Sequence, residues 1–293
     1  MYKRQDQAIA EGAQIIVGPL RSDAANAAAI AARDDGINVL AFSNNSSIAG
    51  GNLFVLGNTF DNTASRLMRH AGSQGRSRVV VVHSRTPVGQ IARSAVVRAA
   101  AGTNVQVVGD GSFEFTEAGI AEAAPRIAQT VQQSGATAIL LTDGFAGALP
   151  LLARNLPAAG VDPSVVKSIG LARWDTPPQT LALPGLQGGW FALPDPALSS
   201  QFNARYQSAF GQAPHPLAGL AYDGVAAVGA LASKSLALSG GNLTQNSGFA
   251  GVNGVFRFRS DGTNERALAV AQVSGGRVQI VDPAPKSFRR GGF

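Results

Sequence analysis

Two short apolar runs, each ending in small polar residues, flank an alanine-rich segment near the start of the chain. Ile15-Ile16-Val17 leads into Gly18-Pro19 and Ser22-Asp23, and the run from Ile37 to Phe42 leads into Ser43-Asn44-Asn45. This order of strand, polar loop, helix, strand and polar loop is typical of a parallel α/β sheet. In such sheets the loops at the carboxyl ends of the strands face the ligand crevice. The pattern therefore predicts a site for a small polar molecule at this edge.

Composition indicates an ordered globular protein. The chain has 293 residues, of which 45% are hydrophobic and 14% are charged. This length can bury a large core and predicts two lobes, and the hydrophobic content is too high for intrinsic disorder. The net charge of +6 comes from twenty Arg and four Lys scattered along the sequence. Because a basic stripe with interleaved aromatic residues is missing, we expect no nucleic-acid partner.

Cysteine chemistry and membrane-spanning patterns are missing from the sequence. Without Cys there are no disulfides, no thiolate catalysis and no Cys-based metal sites. No run of about 20 apolar residues could span a bilayer, and the opening residues lack the apolar core of a signal peptide. The chain also opens without a strand before its first helix. We therefore expect that an amino-terminal segment, with any export signal or lipid anchor, precedes this sequence.

The middle of the chain continues in alternating strands and helices, at the spacing of βαβ units. Arg78 to His83 is a near-continuous apolar run, as a buried parallel strand requires. Pro125 is expected in the first turn of a helix that ends at Ser134. A further helix is predicted from Phe145 to Ala159, with Gly160 as its terminating residue.

The pattern changes after Pro196. Two consecutive helices are predicted, from Ser199 to Phe210 and from Pro216 to Leu238. Antiparallel strands follow, because Ser260-Asp261-Gly262 and Gly275-Gly276 are hairpin signals between alternating runs. The carboxyl-terminal part is therefore predicted to differ in topology from the parallel middle.

This order of elements resembles the type I periplasmic binding proteins, and within them the leucine/isoleucine/valine-binding branch. The segments that carry the resemblance span most of the chain: IIVGPLRSDAANAAA, GINVLAFSNN, FVLGNTFDNTASRLMRHA, RVVVVHSRTPVGQIARS, ATAILLTDGFAGALPLLARNL, LQGGWFALPDP and LAGLAYDGVAAVGAL. The resemblance implies two doubly wound α/β lobes joined by strand crossovers, with a ligand held between them. Residues 1–57 plus 196–255 would form lobe 1, incomplete at its amino terminus, and 58–195 would form lobe 2. Residues 256–293 would form a β crossover and tail.

In this branch a Ser in the first loop and small or hydroxyl residues in the second hold the carboxylate of an amino acid. The matching residues here are Ser22, Ser43 and Asn45. Hydroxyls, amides and backbone N–H groups at a helix N-terminus donate hydrogen bonds and favour a bound anion. For Ser22 with Asp23, helix capping alone is an equal alternative. For Ser43 and Asn45, the alternative is an ordinary surface turn.

Lobe 2 would contribute Asp143, Phe145, Arg173 and Trp174 to the ligand site. The family's acidic residue for the ligand ammonium falls near Arg173, and an Arg there would repel an ammonium group. The resemblance therefore leaves open an amino acid, an anionic ligand or no ligand. Trp174 lies in a loop and would line the cleft, stack on a ligand or touch a partner. Asp143 could equally cap the helix that follows it.

An enzyme is a third class, and its signatures are missing. His70, His83 and His215 lack metal-ligand spacing. His83 ends a strand and could point into a cleft, but a hydrogen-bonded structural role is the favoured interpretation. No nucleophile elbow, phosphate loop or dinucleotide fingerprint is present. We expect no enzyme activity, no metal and no cofactor.

The sequence predicts a periplasmic solute-binding protein that captures an amino acid or related small polar ligand for an ABC transporter. The alternative is an envelope module that binds a peptidoglycan synthase. GLARWDTP and LQGGWFALPDP resemble alphaproteobacterial proteins related to the penicillin-binding-protein activator lipoproteins. Because one fold serves both roles, the chemistry of the cleft and of the outer surface must distinguish them.

Overall fold

The computed structural model describes residues 7–288, which divide into two compact units. The first unit comprises the described residues up to Asn62, Pro194–Ala267 and the residues from Ala284 onward. The second unit comprises Thr63–Leu193 and Leu268–Pro283. The chain therefore passes between the units four times.

The first unit contains two three-stranded sheets, ordered β1-β2-β3 and β11-β10-β9. The first sheet is parallel, and the second is antiparallel. Its strands are β1 (Ile15–Val17), β2 (Asn38–Ala41), β3 (Leu53–Val55), β9 (Phe249–Gly251), β10 (Gly254–Phe258) and β11 (Asn264–Arg266). Its helices are α1 (Ser22–Ala32), the first residues of α2 (Phe60–Ser73), α6 (Pro196–Phe210), α7 (Ala218–Ala232) and α8 (Gly240–Leu243).

The parallel sheet of the first unit is covered on both faces. Alanines of α1 at helical spacing pack with Val39 and Ala41 of β2 in one cluster. The intervening Leu40 packs with residues of α7 and β10 in the other cluster. Successive side chains of a strand point to opposite faces, so β2 is fully buried although it has only four residues.

A buried ion pair joins the elements of the first unit. Arg266 Nη1 lies 2.8 Å from Asp223 Oδ2, and both side chains are almost fully enclosed. Asp223 also accepts hydrogen bonds from the backbone N–H of Val252 and from Asn253 Nδ2. Arg266 donates twice to the carbonyl of Leu56 and lies over the Phe256 ring. Both charges of this pair are therefore hydrogen-bonded to further groups, as their burial requires.

The second unit is built on a seven-stranded sheet ordered β13-β12-β8-β7-β6-β4-β5. Five strands are parallel, and β12 and β13 add to the edge in antiparallel pairing. The strands are β4 (Arg78–Ser84), β5 (Gln106–Phe113), β6 (Ala138–Leu141), β7 (Lys167–Gly170), β8 (Trp190–Leu193), β12 (Ala269–Ser274) and β13 (Arg277–Asp282). The helices are the rest of α2, α3 (Pro87–Ala101), α4 (Glu117–Ser134) and α5 (Leu149–Ala158).

Several predicted helix boundaries differ from the structure. Pro125 lies inside α4 rather than in its first turn, because Thr116 caps the helix by accepting a hydrogen bond from the Gly119 N–H. Helix α5 begins at Leu149 and not at Phe145, with Pro150 in its first turn. Helix α7 ends at Ala232, six residues before the predicted end.

The predicted mixed α/β fold with mostly parallel strands is confirmed. The predicted hairpins at 260–262 and 275–276 are both antiparallel, but they belong to different sheets in different units. Residues 256–293, which the sequence analysis treats as one crossover and tail, are accordingly shared between the two units. Residues 289–293 lie outside the described part of the chain. Among the described residues, no helix combines the length and the apolar character needed to cross a membrane.

The ion pair predicts a large effect of removing one partner. Replacing Arg266 with Met should lower the free energy of unfolding by about 3–5 kcal/mol, because Asp223 would remain buried and uncompensated. Urea unfolding measures this loss. The control is Gly229→Ala at an exposed position of helix α7, where an added β carbon meets nothing within 4 Å. It should raise stability by up to about 1 kcal/mol. A loss below about 1 kcal/mol for Arg266→Met would contradict the prediction.

Candidate functional site

The parallel register brings the loops after β1, β2 and β3 to one edge of the first unit. Phe42 N–H donates to the Pro19 carbonyl, and Gly57 N–H donates to the Ser43 carbonyl. Gly57 allows this approach, since a β carbon there would lie only 2.4 Å from the Ser43 oxygen. The loops that carry the predicted residues are thus fixed by backbone contacts.

Ser22 and Ser43 form a hydroxyl pair at this edge. Their Oγ atoms are 2.9 Å apart, and the Asn45 backbone N–H donates to Ser43 Oγ at 3.1 Å. One hydroxyl must donate to the other, so one hydroxyl hydrogen is left over in either orientation. When Ser43 donates to Ser22, the remaining hydrogen is on Ser22, which is half-buried and can donate to an acceptor beside the first turn of α1.

The capping interpretation of Ser22 is wrong. The N-cap of α1 is Arg21, which makes no side-chain capping bond, and Ser22 is the first residue of the helix. Asp23 is exposed beside it, and the hydrogen bond from the Ala24 backbone N–H is the main cause that lowers the pKa of its carboxyl. The turn interpretation fits the Asn45 side chain, whose Oδ1 accepts hydrogen bonds from Ser47 at the start of a short 3-10 helix.

A second polar edge lies within the second unit. Val82 of β4 pairs with Leu141 of β6, which pairs with Gly170 of β7. The residues that follow these three positions are therefore neighbours: His83 with Ser84, Thr142 with Asp143, and the loop 171–175. Strand register alone brings the predicted residues of this unit together.

Asp143 is a half-buried carboxylate at the centre of this edge. The Thr142 hydroxyl donates to its Oδ2 at 3.2 Å. Burial raises the pKa of the Asp143 carboxyl, and hydrogen bonds from Thr142 and from the backbone of Ser84 and Ala148 oppose that shift. No Arg or Lys of the described residues forms a salt bridge with it. Its hydrogen-bond partners are a hydroxyl and backbone N–H groups, and the neighbouring His83 also lowers the pKa of the Asp143 carboxyl by its charge.

Phe145 is half-buried in the turn between Asp143 and α5. Gly147 lies in the same turn, and its N–H donates to the Gly144 carbonyl. A second aromatic residue, Phe115, is 50% exposed and approaches Gly147 from the loop after β5. Sequence reasoning missed Phe115 and Gly147. The signal for Phe115 was a large apolar residue between Glu114 and Thr116, outside any apolar run.

Arg173 and Trp174 follow β7 but have different environments. Arg173 is exposed and forms a bidentate pair with Asp175, with Nε–Oδ1 at 2.9 Å and Nη2–Oδ2 at 2.5 Å. Asp175 thus compensates the charge of Arg173, so the repulsion of a ligand ammonium group by Arg173 is no longer expected. Trp174 is fully buried against Phe191, and its Nε1 has no hydrogen-bond partner. Its side chain presents no surface to a ligand.

His83 is a buried, hydrogen-bonded residue. Its Nε2 lies 2.8 Å from Asp110 Oδ1, and its Nδ1 lies 2.9 Å from the Ser84 carbonyl oxygen. Arg93 Nε also contacts Asp110 Oδ1 at 3.1 Å. Across residues 7–288, no group of three or more His, Asp or Glu side chains could hold a metal ion. His83 thus stabilises the end of β4.

The raised pKa of Asp143 predicts a pH dependence of stability. A carboxyl whose pKa is higher in the folded state contributes stability below the unfolded-state pKa, and this contribution is lost as pH rises through the folded-state value. Asp143→Asn should therefore gain stability relative to the parent protein as pH rises from about 3.8. Urea unfolding from pH 3.5 to 7 measures the difference. A stability difference between variant and parent that stays constant over this range would contradict the assignment. The control is Asp162→Asn, since the Asp162 carboxyl is exposed and its pKa is lowered. This variant should lose stability relative to the parent as pH rises.

Comparisons with known proteins agree with this architecture. A putative branched-chain amino acid ABC transporter protein from Rhodospirillum rubrum superimposes with a TM-score of 0.76 at 19% identity, covering 94% of this chain and 84% of that one. An ABC transporter substrate-binding protein from Desulfitobacterium hafniense, in complex with Leu, gives 0.69 at 19% identity, with 94% and 83% covered. A solute-binding protein of an ABC transporter from Rhodopseudomonas palustris BisB5, in complex with 3,4-dihydroxybenzoic acid, gives 0.62 at 18% identity, with 97% and 84% covered.

No curated protein shows a significant sequence match. The sequence profile described as periplasmic binding protein matches residues 4–277, which is most of the chain. The resemblance noted from the sequence is thereby confirmed. The chain belongs to the periplasmic binding protein family.

Proposed function

We propose that this protein is the solute-binding component of an ABC transporter and captures a small molecule that carries a carboxylate. The observation that carries the proposal is the Ser22–Ser43 hydroxyl pair, which has one hydrogen left for an acceptor beside the N-terminus of α1. Such a position favours an anionic oxygen. The ligands named for two similar structures, Leu and 3,4-dihydroxybenzoic acid, share a carboxylate and little else.

The residues have different roles in this proposal. The Ser22–Ser43 pair donates its one remaining hydroxyl hydrogen to a carboxylate oxygen, and the Asn45 backbone N–H orients Ser43. Asp143, Phe145 and Arg173 of the second unit are the further ligand contacts that the family resemblance implies. Trp174 is left out because it is fully buried. The family match supports delivery to a membrane transporter and a periplasmic location.

A second candidate is the binding of an envelope protein such as a peptidoglycan synthase. The observation in its favour is an apolar groove of about 730 Å³ in the first unit, lined by Phe202, Tyr206, Phe210, Tyr222 and Val225 among others. Phe210 and Val225 are 66% and 61% exposed. Exposed apolar patches of this kind mark interaction sites in many proteins. The similar structures named as transporter proteins favour the first candidate.

A thermal-shift screen tests the first candidate. The panel contains amino acids, small carboxylates, sugars and peptidoglycan fragments. A ligand at about 100-fold its dissociation constant should stabilise the protein by about 2.7 kcal/mol, which gives a readable shift. We expect hits among carboxylates and none among neutral sugars. A flat screen on folded protein would reject solute binding and favour the second candidate.

The hydroxyl pair gives a sharper test with any carboxylate hit. Ser43→Ala removes the partner that orients Ser22, and the loss of one neutral hydrogen bond costs about 0.5–1.5 kcal/mol. The dissociation constant should therefore rise roughly 2- to 10-fold, as measured by calorimetry. The matched control is Ser233→Ala at the exposed end of α7, which should leave affinity unchanged. Equal affinities for Ser43→Ala and the control would exclude the pair from the site.

A further inference from the structure

The outer edge of β13 is an exposed strand edge without a partner. β13 is the last strand in the order of the seven-stranded sheet, and no strand of the described part of the chain pairs with its outer side. Residues 277–281 are all exposed, although Val278, Ile280 and Val281 are apolar; these three are 37%, 37% and 38% exposed. Such an edge carries unpaired backbone N–H and C=O groups that can pair with another strand.

β13 lacks the features that usually protect an edge strand. Its six residues, RVQIVD, include no Pro and no Lys, and its two charges have opposite signs. Natural proteins protect edges with prolines, lysines, bulges or very short strands. The opposite edge of the same sheet, β5, is protected in this way, because Gly109 and Gly111 interrupt it and its register with β4 is irregular. β13 is therefore the edge of this sheet that is open to pairing.

The register with β12 shows which side chains of β13 share a face. Arg277, Gln279 and Asp282 lie opposite alternate residues of β12, so their side chains point to the same face of the sheet. Val281 has no partner in β12, because the ladder has an irregularity at this point. A strand without this irregularity would place Arg277 and Asp282 on opposite faces.

These positions make the edge complementary to a second copy of itself. In antiparallel strands, directly opposed residues point to the same face, so a two-fold pair can be centred on Gln279. Arg277 of each protomer then lies opposite Asp282 of its partner, and this contact occurs twice. Val278 lies opposite Ile280, also twice, on the other face. The pairing therefore matches opposite charges on one face and apolar side chains on the other.

The charged groups at the two ends are able to form this contact. Arg277 is exposed and forms no salt bridge within residues 7–288. Asp282 is 38% exposed, and a hydrogen bond from Arg66 is the main cause that lowers the pKa of its carboxyl. The contacts of Asp282 with Arg66 and His70 are both made by Oδ2, at 2.8 and 3.2 Å. Oδ1 of the same carboxylate can therefore accept from a second guanidinium.

We propose that two copies of this protein associate through their β13 strands, as an antiparallel pair centred on Gln279. The pair joins two seven-stranded sheets into one continuous sheet. Because the two-fold contact occupies both open edges, assembly stops at the dimer. None of the residues proposed for ligand binding takes part, so dimer formation and solute binding can be tested separately.

Cysteine cross-linking tests the centre of the pair. The chain has no Cys, so Gln279→Cys introduces a single exposed thiol at the residue that faces its own copy. Directly opposed residues of antiparallel strands have Cα atoms about 4.5–5.5 Å apart, a distance that a disulfide can span. Gln279→Cys should therefore give a cross-linked dimer under mild oxidation, seen on a non-reducing gel. The matched control, Ser233→Cys at the exposed end of α7, should remain monomeric.

Sedimentation of the full chain over a range of concentrations tests the charges. The parent protein should approach twice the monomer mass as its concentration rises. Arg277→Asp places like charges opposite each other twice and should weaken the dimer about ten-fold or more, whereas Arg277→Lys should retain it. Arg205→Asp changes the net charge equally but lies on α6 of the first unit, and it should leave the dimer unchanged. Unfolding curves verify that the variants are folded.

Three results would overturn the pairing. The first is a parent protein that stays monomeric at all concentrations, or a Gln279→Cys variant that cross-links no more than Ser233→Cys. The second is a dimer that Arg205→Asp dissociates and Arg277→Asp does not, because the copies would then meet at another surface. The third is a mass that continues to rise beyond the dimer, because a closed two-fold contact cannot grow further.

Discussion

The buried pair of Asp223 and Arg266 holds the first unit together and also supports its polar edge. Arg266 donates to the Leu56 carbonyl, and the next residue, Gly57, donates its N–H to the Ser43 carbonyl. Ser43 in turn contacts Ser22. The ion pair, the end of β3, the loop after β2 and the start of α1 are therefore connected by successive hydrogen bonds. Because an unpaired buried charge is so costly, the pair makes one arrangement of these loops much more favourable than others.

Parallel strand pairing forms the polar edge of each unit, but one edge presents hydrogen-bond donors and the other presents a carboxylate acceptor. In each unit, parallel register aligns the ends of adjacent strands, so that side chains distant in sequence become neighbours. At the edge of the first unit, two hydroxyls and the N-terminus of a helix offer hydrogen-bond donors. At the edge of the second unit, the half-buried Asp143 carboxylate offers a hydrogen-bond acceptor. Hydroxyl donors favour an anionic oxygen, whereas the carboxylate favours a cation.

Much of the fold could be predicted because its signals are periodic. The apolar run at 79–82 is fully buried, and the alanines of α1 face the sheet at helical spacing. The short strand β9 has too few residues to show a period. The start of α5 was misplaced because the apolar pattern extends back to Phe145, whereas Pro150 sets the first turn. The predicted site residues lie at strand ends, which sequence locates well, but the burial of Trp174 depends on contacts with Gly170 and Phe191 that no local pattern encodes.

Gly147 illustrates what only three-dimensional structure supplies. In the sequence it is one glycine of a turn, and its neighbour Phe115 is distant along the chain. In the structure, the Gly147 turn lies close to both the Asp143 carboxylate and the half-exposed Phe115 ring. Only the folded chain brings the Phe115 ring to the turn that follows Asp143, and the distance between these residues in the sequence hides this proximity.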